Sequence, residues 1–196
     1  MPAAIGILGG TFDPPHAGHV AAAVAAHKQL GLDEVRVIPA GQAPLRTGAP
    51  VASAVDRVAM CRLAFAEHPW AVIDGRETLR SGTSWSVDTA RELAREHPDA
   101  LRIWILGADQ LARLDRWKDV VELCGLVEFA VLSRDNISTL PPASLAAVIR
   151  LTVLQAPPVQ VSSTALREAL RRGDSPRNGL PLGVARHIDE RSLYQA

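Results

Sequence analysis

Two glycines and two histidines near the start of the chain have the types and spacing to bind phosphate. The segment 9–19 reads GGTFDPPHAGH and follows an apolar run that predicts a buried strand over residues 3–8. Glycines at a strand end let the backbone come close to a bound group. A helix beginning near Ala17 would place His16 and His19 on one side of its N-terminus, where the helix dipole favours negative charge. The segment therefore predicts a site that stabilises charge developing on a phosphate.

Helix capping, metal binding and dinucleotide binding fit this segment less well. A lone histidine at a helix start is commonly a cap or a surface residue, and two histidines can bind metal, but no third ligand stands nearby in the sequence. The glycines lack the G-x-G-x-x-G spacing of dinucleotide-binding dehydrogenases and the Gly-Lys-Ser/Thr of a P-loop. We interpret His16 and His19 as catalytic charge stabilisers and predict no protein-bound metal.

A second group of phosphate-binding residues is predicted about 145 positions further on. Ser162, Ser163 and Thr164 begin a predicted helix, where hydroxyls can cap the helix or donate to phosphate. Arg167 lies in the first turns of that helix, where a cation opposes the dipole, so a bound anion would explain it. An ordinary capped helix with a surface arginine is the alternative for this segment taken alone.

A carboxylate follows the fourth predicted strand. Leu106-Gly107-Ala108-Asp109 stands where a carboxylate can accept hydrogen bonds from ribose hydroxyls and a glycine lets the backbone reach the sugar. An aspartate capping the next helix is the alternative.

Composition restricts the classes of function. The 196 residues are 47% hydrophobic and 21% charged, and their formal net charge is zero. Zero net charge gives no overall attraction to nucleic acid or to an anionic membrane, so we expect neither partner. Cys61 and Cys124 are expected to be free buried thiols in a reducing cytoplasm, and we expect no signal peptide and no membrane span. The sequence leaves a homo-oligomer open.

Strand and helix signals alternate along the whole chain, which we predict to be a single domain over residues 1–196. The predicted strands cover about 3–8, 35–38, 72–73, 101–106, 126–132 and 151–154. The predicted helices cover about 18–30, 53–67, 84–96, 143–149, 162–172 and 181–191, with helical pieces near 108–124. We expect Ser84 or Ser86 to cap the helix that reaches about residue 96. Short apolar strands joined by helices predict an α/β fold, a parallel sheet with helices on both faces. The loops that follow the strands should meet at one rim of the sheet.

The segment 9–19 resembles the T/H-x-G-H signature of the adenylyltransferase and cytidylyltransferase superfamily, and GGTFDP-x-H-x-GH is similar to bacterial nicotinate-nucleotide adenylyltransferases. The resemblance implies a Rossmann-like nucleotide-binding fold, completed at the phosphate site by a helical part over about 160–196. Residues 161–167 resemble the family's I-S-S-T-x-I-R motif for ATP phosphates, and 107–109 its G-x-D for the adenosine ribose. The implied ATP-binding residues are Gly9, Gly10, Thr11, Phe12, His16, His19, Gly107, Asp109, Ser162, Ser163, Thr164 and Arg167, and the implied catalytic residues are His16, His19 and Arg167.

The resemblance extends to residues for a mononucleotide. Residues 81–89 resemble the family's S-Y-T-x-x-T element, with Trp85 in place of the tyrosine, which keeps a flat ring and loses a hydroxyl. Trp117 matches the tryptophan that stacks on the pyridine ring, and Arg46 in Pro44-Leu45-Arg46 matches the cation of P-H-K/R, with Leu45 replacing the histidine. The implied mononucleotide-binding residues are Arg46, Thr83, Ser84, Trp85, Trp117 and Arg134. For Trp70 and Trp104 we prefer core packing.

The resemblance implies that nicotinate mononucleotide attacks the α-phosphorus of ATP to give deamido-NAD and pyrophosphate. A phosphate nucleophile is already charged and needs no general base, and Mg²⁺ would bridge phosphates with few protein ligands. The alternatives are an adenylyltransferase for nicotinamide mononucleotide, phosphopantetheine or a flavin nucleotide, and a non-catalytic nucleotide sensor of the same fold.

Overall fold

A computed structural model of the chain describes residues 3–44, 48–132, 138–156, 159–174 and 179–195. The strands are β1 Ala4–Gly10, β2 Glu34–Pro39, β3 Ala71–Ile73, β4 Leu101–Gly107, β5 Glu128–Leu132 and β6 Leu151–Leu154. The helices are α1 Ala17–Leu30, α2 Ala54–Ala64, α3 Ser86–Glu96, α4 Ala108–Leu111, α5 Val120–Leu126, α6 Ser163–Arg171 and α7 Leu182–Glu190. Short 3₁₀ turns cover Arg76–Leu79, Leu114–Arg116 and Ala143–Leu145.

The six strands form one parallel sheet in the order β3-β2-β1-β4-β5-β6. The chain moves outward from β1 to β3, then returns to the other side of β1 for β4, so the strand order reverses between β1 and β4. Ligands of open α/β sheets bind at this point, beyond the carboxyl ends of the strands. The predicted Rossmann-like α/β fold is confirmed.

Each face of the sheet carries its own apolar core, because successive strand residues point to opposite faces. Leu8 belongs to the core that contains buried residues of α1, α2, α6 and α7. Ile7 belongs to the core that contains buried residues of α3 and α5, together with Trp104. Helices therefore cover both faces, and Trp104 packs in the core as expected. Cys61 and Cys124 are buried free thiols, and burial raises the pKa of both.

Two predicted elements differ from the structure. The strand β1 continues through Gly9 and Gly10, because Gly10 still pairs with Pro39 of β2. The helix expected over 143–149 is only the 3₁₀ turn Ala143–Leu145. Ile149 packs against the core on the α3 side, and β6 begins two residues later. The helical part therefore ends before the residue at which the predicted helix ends.

In the described part of the chain, no helix combines the length and the apolar character needed to cross a bilayer.

Candidate active site

The predicted phosphate segment lies at the switch point of the sheet. Ile7 pairs with Trp104, so Gly10 and Gly107 come level three residues further along β1 and β4. After Gly10 the chain continues from β1 to α1, and after Gly107 it continues from β4 to α4. The sheet therefore brings the first histidine motif and the predicted ribose carboxylate to the same rim.

Gly9 and Gly10 at the end of β1 leave room for two aromatic rings. The expectation that they also let the backbone approach a ligand stays a prediction. A Cβ on Gly9 would lie 3.3 Å from the Trp104 ring, and one on Gly10 would lie 3.1 Å from the Phe12 ring. Phe12 is 2% exposed, has a φ of 50°, and meets His19 edge-on with ring centroids 4.8 Å apart. Gly10 thus leaves room for the Phe12 ring, which packs edge-on against His19.

The imidazoles of His16 and His19 lie together at the start of α1, as their spacing predicts. Their centroids are 3.8 Å apart and the ring planes differ by 27°. His16 is also the N-cap of α1, since its Nδ1 accepts the Gly18 N–H at 3.2 Å. The Nδ1 of His19 accepts the His16 N–H at 3.1 Å. His16 and His19, which are predicted to bind phosphate, are therefore also the residues that cap α1.

These two hydrogen bonds fix the tautomer of each ring. Because both Nδ1 atoms accept a backbone N–H, the proton of each neutral imidazole lies on Nε2. Each ring is thus a donor through Nε2–H at the N-terminus of a 14-residue helix. Gly18 is needed by His16 itself, because a Cβ there would lie 3.1 Å from the imidazole.

Sequence reasoning missed the role of Asp13. Its side chain is fully buried, and its carboxylate accepts the N–H groups of Val51 at 2.9 Å and Ala52 at 3.0 Å and the hydroxyl of Tyr194 at 2.8 Å. A buried carboxylate is stabilised by such donors. Asp13 thereby joins the phosphate segment to the loop before α2 and to the last residues of the chain.

Arg57 is the second residue that sequence reasoning missed. It is 2% exposed, and its Nη1 donates to the carbonyls of Thr11 at 2.8 Å and Ala40 at 2.7 Å. The sequence contains a pattern that could have identified it, because Arg57 shares the buried face of α2 with Met60 and Cys61, at positions i+3 and i+4. An arginine on a buried face indicates internal acceptors.

The structure brings the second predicted phosphate segment against the first. Ser162 caps α6 through the Ala165 N–H at 3.2 Å, as expected, and the Ser163 hydroxyl donates to the Pro14 carbonyl at 2.9 Å. The Nη1 of Arg167 donates to the Asp13 carbonyl at 2.7 Å, and its Nη2 donates to Thr164 Oγ1 at 3.3 Å. The Arg167 guanidinium, whose position in the sequence indicates a bound anion, thus already lies near an anionic side chain, 3.8 Å from Oδ2 of Asp13.

Asp109 is exposed at the start of α4, and no side chain among the described residues caps that helix. A Cβ on Gly107 would lie 2.7 Å from Asp109 Oδ1. The glycine therefore makes room for the carboxylate, which faces solvent beside the switch point.

The loops after β2 and β3 are joined, which corrects the expectation that Ser84 or Ser86 caps α3. Gln42 and Thr83 form a parallel bridge, and the Ser84 N–H donates to the Gln42 carbonyl at 2.9 Å. The buried Ser84 hydroxyl accepts the Gly41 N–H at 3.2 Å. The N-cap of α3 is Trp85, and its side chain makes no capping hydrogen bond. Ser84 thus holds two loops together beside an uncapped helix N-terminus.

Trp85, at that helix start, and Trp117 both pack against the core that contains the buried residues of α3. Trp117 meets Trp104 edge-on with centroids 6.0 Å apart, and its buried Nε1–H has no hydrogen-bond acceptor among the residues that the structure describes. The Lys118 ammonium lies 5.3 Å from the centre of the Trp85 ring, within cation–π range. Arg46 and Arg134, the other two predicted mononucleotide residues, lie outside the described residues.

Replacing Gly41 with alanine should separate the two joined loops. The added Cβ would collide with the carbonyl oxygen of Glu77, a backbone atom that cannot move aside cheaply. We expect the KM for the acceptor substrate to rise about tenfold or more, the size of effect that misplacement of a positioning loop produces, while the KM for ATP stays within about twofold. Steady-state kinetics with each substrate varied in turn measure both constants, and Gly125→Ala in α5, at a glycine whose Cβ would meet no described atom within 4 Å, is the control. Unchanged acceptor kinetics in Gly41→Ala would show that the joined loops do not shape the site.

Comparison with known proteins agrees with this geometry. A family model described as cytidylyltransferase-like matches residues 7–169. The chain is 41% identical over 195 residues to a probable nicotinate-nucleotide adenylyltransferase of Methylibium petroleiphilum, covering 97% of this chain and 92% of that protein. It is 39% identical over 194 residues to a protein of the same name from a Synechococcus species, covering 97% and 94%.

A solved structure shares the fold. The nicotinic acid mononucleotide adenylyltransferase of Plasmodium falciparum, complexed with APC, superposes with a TM-score of 0.81 at 16% identity, covering 98% of this chain and 97% of that one. The residues at the switch point and the full-length similarity lead to one assignment. The chain belongs to the cytidylyltransferase-like family and, within it, to the nicotinate-nucleotide adenylyltransferases.

Proposed function

We propose that this chain transfers the adenylyl group of ATP to nicotinate mononucleotide, giving deamido-NAD and pyrophosphate in NAD biosynthesis. The observation that carries the proposal is the stacked pair His16 and His19, with both Nε2–H donors at the N-terminus of α1 and at the switch point of the sheet. The relatives that share the whole chain carry the name of this activity. We place the activity in the cytoplasm, where buried free thiols such as Cys61 and Cys124 stay reduced.

The chemistry needs alignment and charge stabilisation more than proton transfer. An oxygen of the mononucleotide 5′-phosphate forms a bond to the α-phosphorus of ATP, and the bond from that phosphorus to the oxygen bridging to the β-phosphorus breaks. Pyrophosphate leaves with the bonding electrons. The attacking phosphate carries about −1.5 to −2 charge at neutral pH, so no base must activate it. The His16 and His19 donors would stabilise the charge that builds on the α-phosphate oxygens.

The ATP side of the site is assigned to groups from both phosphate segments. Arg167 and the N-terminus of α6, at Ser162, Ser163 and Thr164, would bind the β- and γ-phosphates. The backbone of 9–12 would pass close to the nucleotide, and Gly107 and Asp109 would meet the ribose. Within the described ranges, no three His, Cys, Asp or Glu side chains are grouped so as to hold a metal ion. Mg²⁺ would enter with the ATP substrate, because Mg²⁺ is commonly bound through substrate phosphates.

The mononucleotide side is assigned to the joined loops. The uncapped N-terminus of α3, at Thr83, Ser84 and Trp85, would attract the nicotinate carboxylate, as helix N-termini attract anions. Trp117 would stack on the pyridine ring, and Arg46 and Arg134 would bind the mononucleotide phosphate. The Lys118 ammonium above Trp85 adds positive charge on this side, which favours an acid over an amide on the ring.

The proposal is tested by a panel of acceptors. Purified protein with MgATP should release pyrophosphate with nicotinate mononucleotide and form deamido-NAD, detected by chromatography. In competition, nicotinamide mononucleotide, phosphopantetheine and flavin mononucleotide should react more slowly. Faster turnover of any of these three compounds would identify it as the acceptor in place of nicotinate mononucleotide. ATP binding without pyrophosphate release in the presence of every acceptor would show that the protein is a nucleotide sensor.

A further inference from the structure

Tyr194 is attached to the phosphate segment from the far end of the chain. It is 4% exposed, and its hydroxyl donates to Asp13 Oδ1 at 2.8 Å across 181 positions. Burial and the Asp13 carboxylate raise the pKa of the phenol, so it remains a hydrogen-bond donor. Asp13 stands three residues before His16, so Tyr194 contacts the segment that presents the histidines.

Asp13 also holds Arg167, and it offers that guanidinium two different acceptors. Arg167 Nη1 donates to the Asp13 carbonyl at 2.7 Å and lies 3.8 Å from carboxylate Oδ2. The second distance is too long for a direct hydrogen bond. The Arg167 side chain is thus in a long ion pair with a buried carboxylate, without a direct hydrogen bond between Nη1 and Oδ2. The Tyr194 hydroxyl, by donating to that carboxylate, offsets part of the charge that attracts the guanidinium.

The backbone around Tyr194 is held in an unfavourable conformation. Ser192 and Tyr194 have φ values of 48° and 64°, in the left-handed region that L side chains rarely adopt. The preceding helix α7 is anchored to α2, because His187 Nε2 lies 3.2 Å and Arg191 Nε 3.3 Å from Asp56 Oδ1. Strain of this kind persists only where surrounding contacts enforce it, and it concentrates near functional sites.

We propose that Tyr194 is a positioning residue for the transfer reaction: its hydroxyl holds Asp13 so that Arg167 stays on the Asp13 carbonyl. The remaining guanidinium N–H groups are then kept for the phosphates of ATP. Without the hydroxyl, the carboxylate loses a donor and draws Arg167 from a long ion pair into a direct hydrogen bond, away from the nucleotide. The proposal rests on the proposed function, because it gives Arg167 the task of binding ATP phosphates.

Tyr194→Phe keeps the buried ring and removes only the hydroxyl. We expect kcat/KM for ATP to fall about tenfold, the size of effect typical for one hydrogen bond to a charged group, with the KM for nicotinate mononucleotide within about twofold. In an Arg167→Ala background the same change should cost nothing further, because the group it positions is gone. An equal loss in both backgrounds would overturn the proposal and indicate a general structural role.

Arg191→Gln is the matched control, since it weakens the anchor of α7 and leaves the Tyr194 hydroxyl in place. It should keep the wild-type kcat/KM for ATP. A loss equal to that of Tyr194→Phe would overturn the proposal, because loosening of the C-terminal part would then explain both variants.

A second measurement needs neither turnover nor a folded Phe variant. Tyr194 is the single tyrosine of the chain, so biosynthetic labelling with 3-fluorotyrosine marks this residue alone. Its fluorine resonance should shift when a non-hydrolysable ATP analogue binds, and the shift should be lost in Arg167→Ala at analogue concentrations that saturate that variant. No shift in the wild type, with binding verified by calorimetry, would overturn the proposal. If no acceptor yields pyrophosphate, the proposed function fails while this measurement still decides the role of Tyr194.

Discussion

Replacing His19 with alanine is expected to lower turnover by about 100-fold or more, the usual cost of losing one donor that stabilises transition-state charge. The His19 Nδ1 accepts the His16 N–H, so any hydrogen bond that the neutral ring donates comes from Nε2–H. Alanine removes this donor and also the edge-on contact with Phe12. The measurement is kcat from initial rates of pyrophosphate release with both substrates saturating.

Alanine at position 19 also removes a helix cap, so a second variant must separate capping from catalysis. The Oδ1 of an asparagine can take the place of Nδ1 and accept the His16 N–H, but the side chain does not reach to Nε2. His19→Asn should therefore melt within a few degrees of the wild type, while His19→Ala loses about 1 kcal/mol of stability, the typical worth of a cap. Both variants should lose turnover alike. Wild-type turnover in His19→Asn would remove Nε2–H from the mechanism.

The histidine pair shows what a local pattern can predict. A spacing of three at a helix start places two side chains on one side of one turn, and the stacked rings confirm it. The same holds for Ser162, whose capping hydrogen bond closes within three residues. The parallel sheet was also predictable, since alternating short apolar strands and helices leave few other packings.

What the sequence could not predict depends on contacts between distant residues. Gly9 and Gly10 fit a pattern for ligand approach, but the sequence does not show that the Trp104 and Phe12 rings also occupy the space beside them. Ser84 looked like a helix cap because serine favours that position, but the neighbouring loop uses its hydroxyl through Gly41. For Gly9 and Ser84 a residue some 40 to 95 positions away decides the role, and no local period encodes such a partner.

Asp13→Asn is expected to be the most destabilising conservative change in the phosphate segment. Both carboxylate oxygens accept hydrogen bonds: Oδ2 from the partly buried Val51 N–H, and Oδ1 from the buried donors of Ala52 and Tyr194. An amide keeps one oxygen and turns the other position into a donor that faces another donor. Removing one partner of a buried charged network costs about 3–5 kcal/mol, a large fraction of the roughly 5–15 kcal/mol that holds a domain folded. For a chain of this size we expect the melting temperature to fall by roughly 10 °C.

The matched control is Asp33→Asn, because Asp33 Oδ2 accepts the Ala4 N–H at 2.7 Å in an exposed position. An exposed carboxylate is solvated in either state, so this change should cost less than about 1 kcal/mol. Chemical denaturation of both variants, with the slope against denaturant checked for two-state behaviour, gives the difference directly. Equal stabilities would mean that the buried donors around residue 13 find other acceptors. Asp13 would then be a local feature of the turn and could not be the connection through which the last residues of the chain reach the phosphate segment.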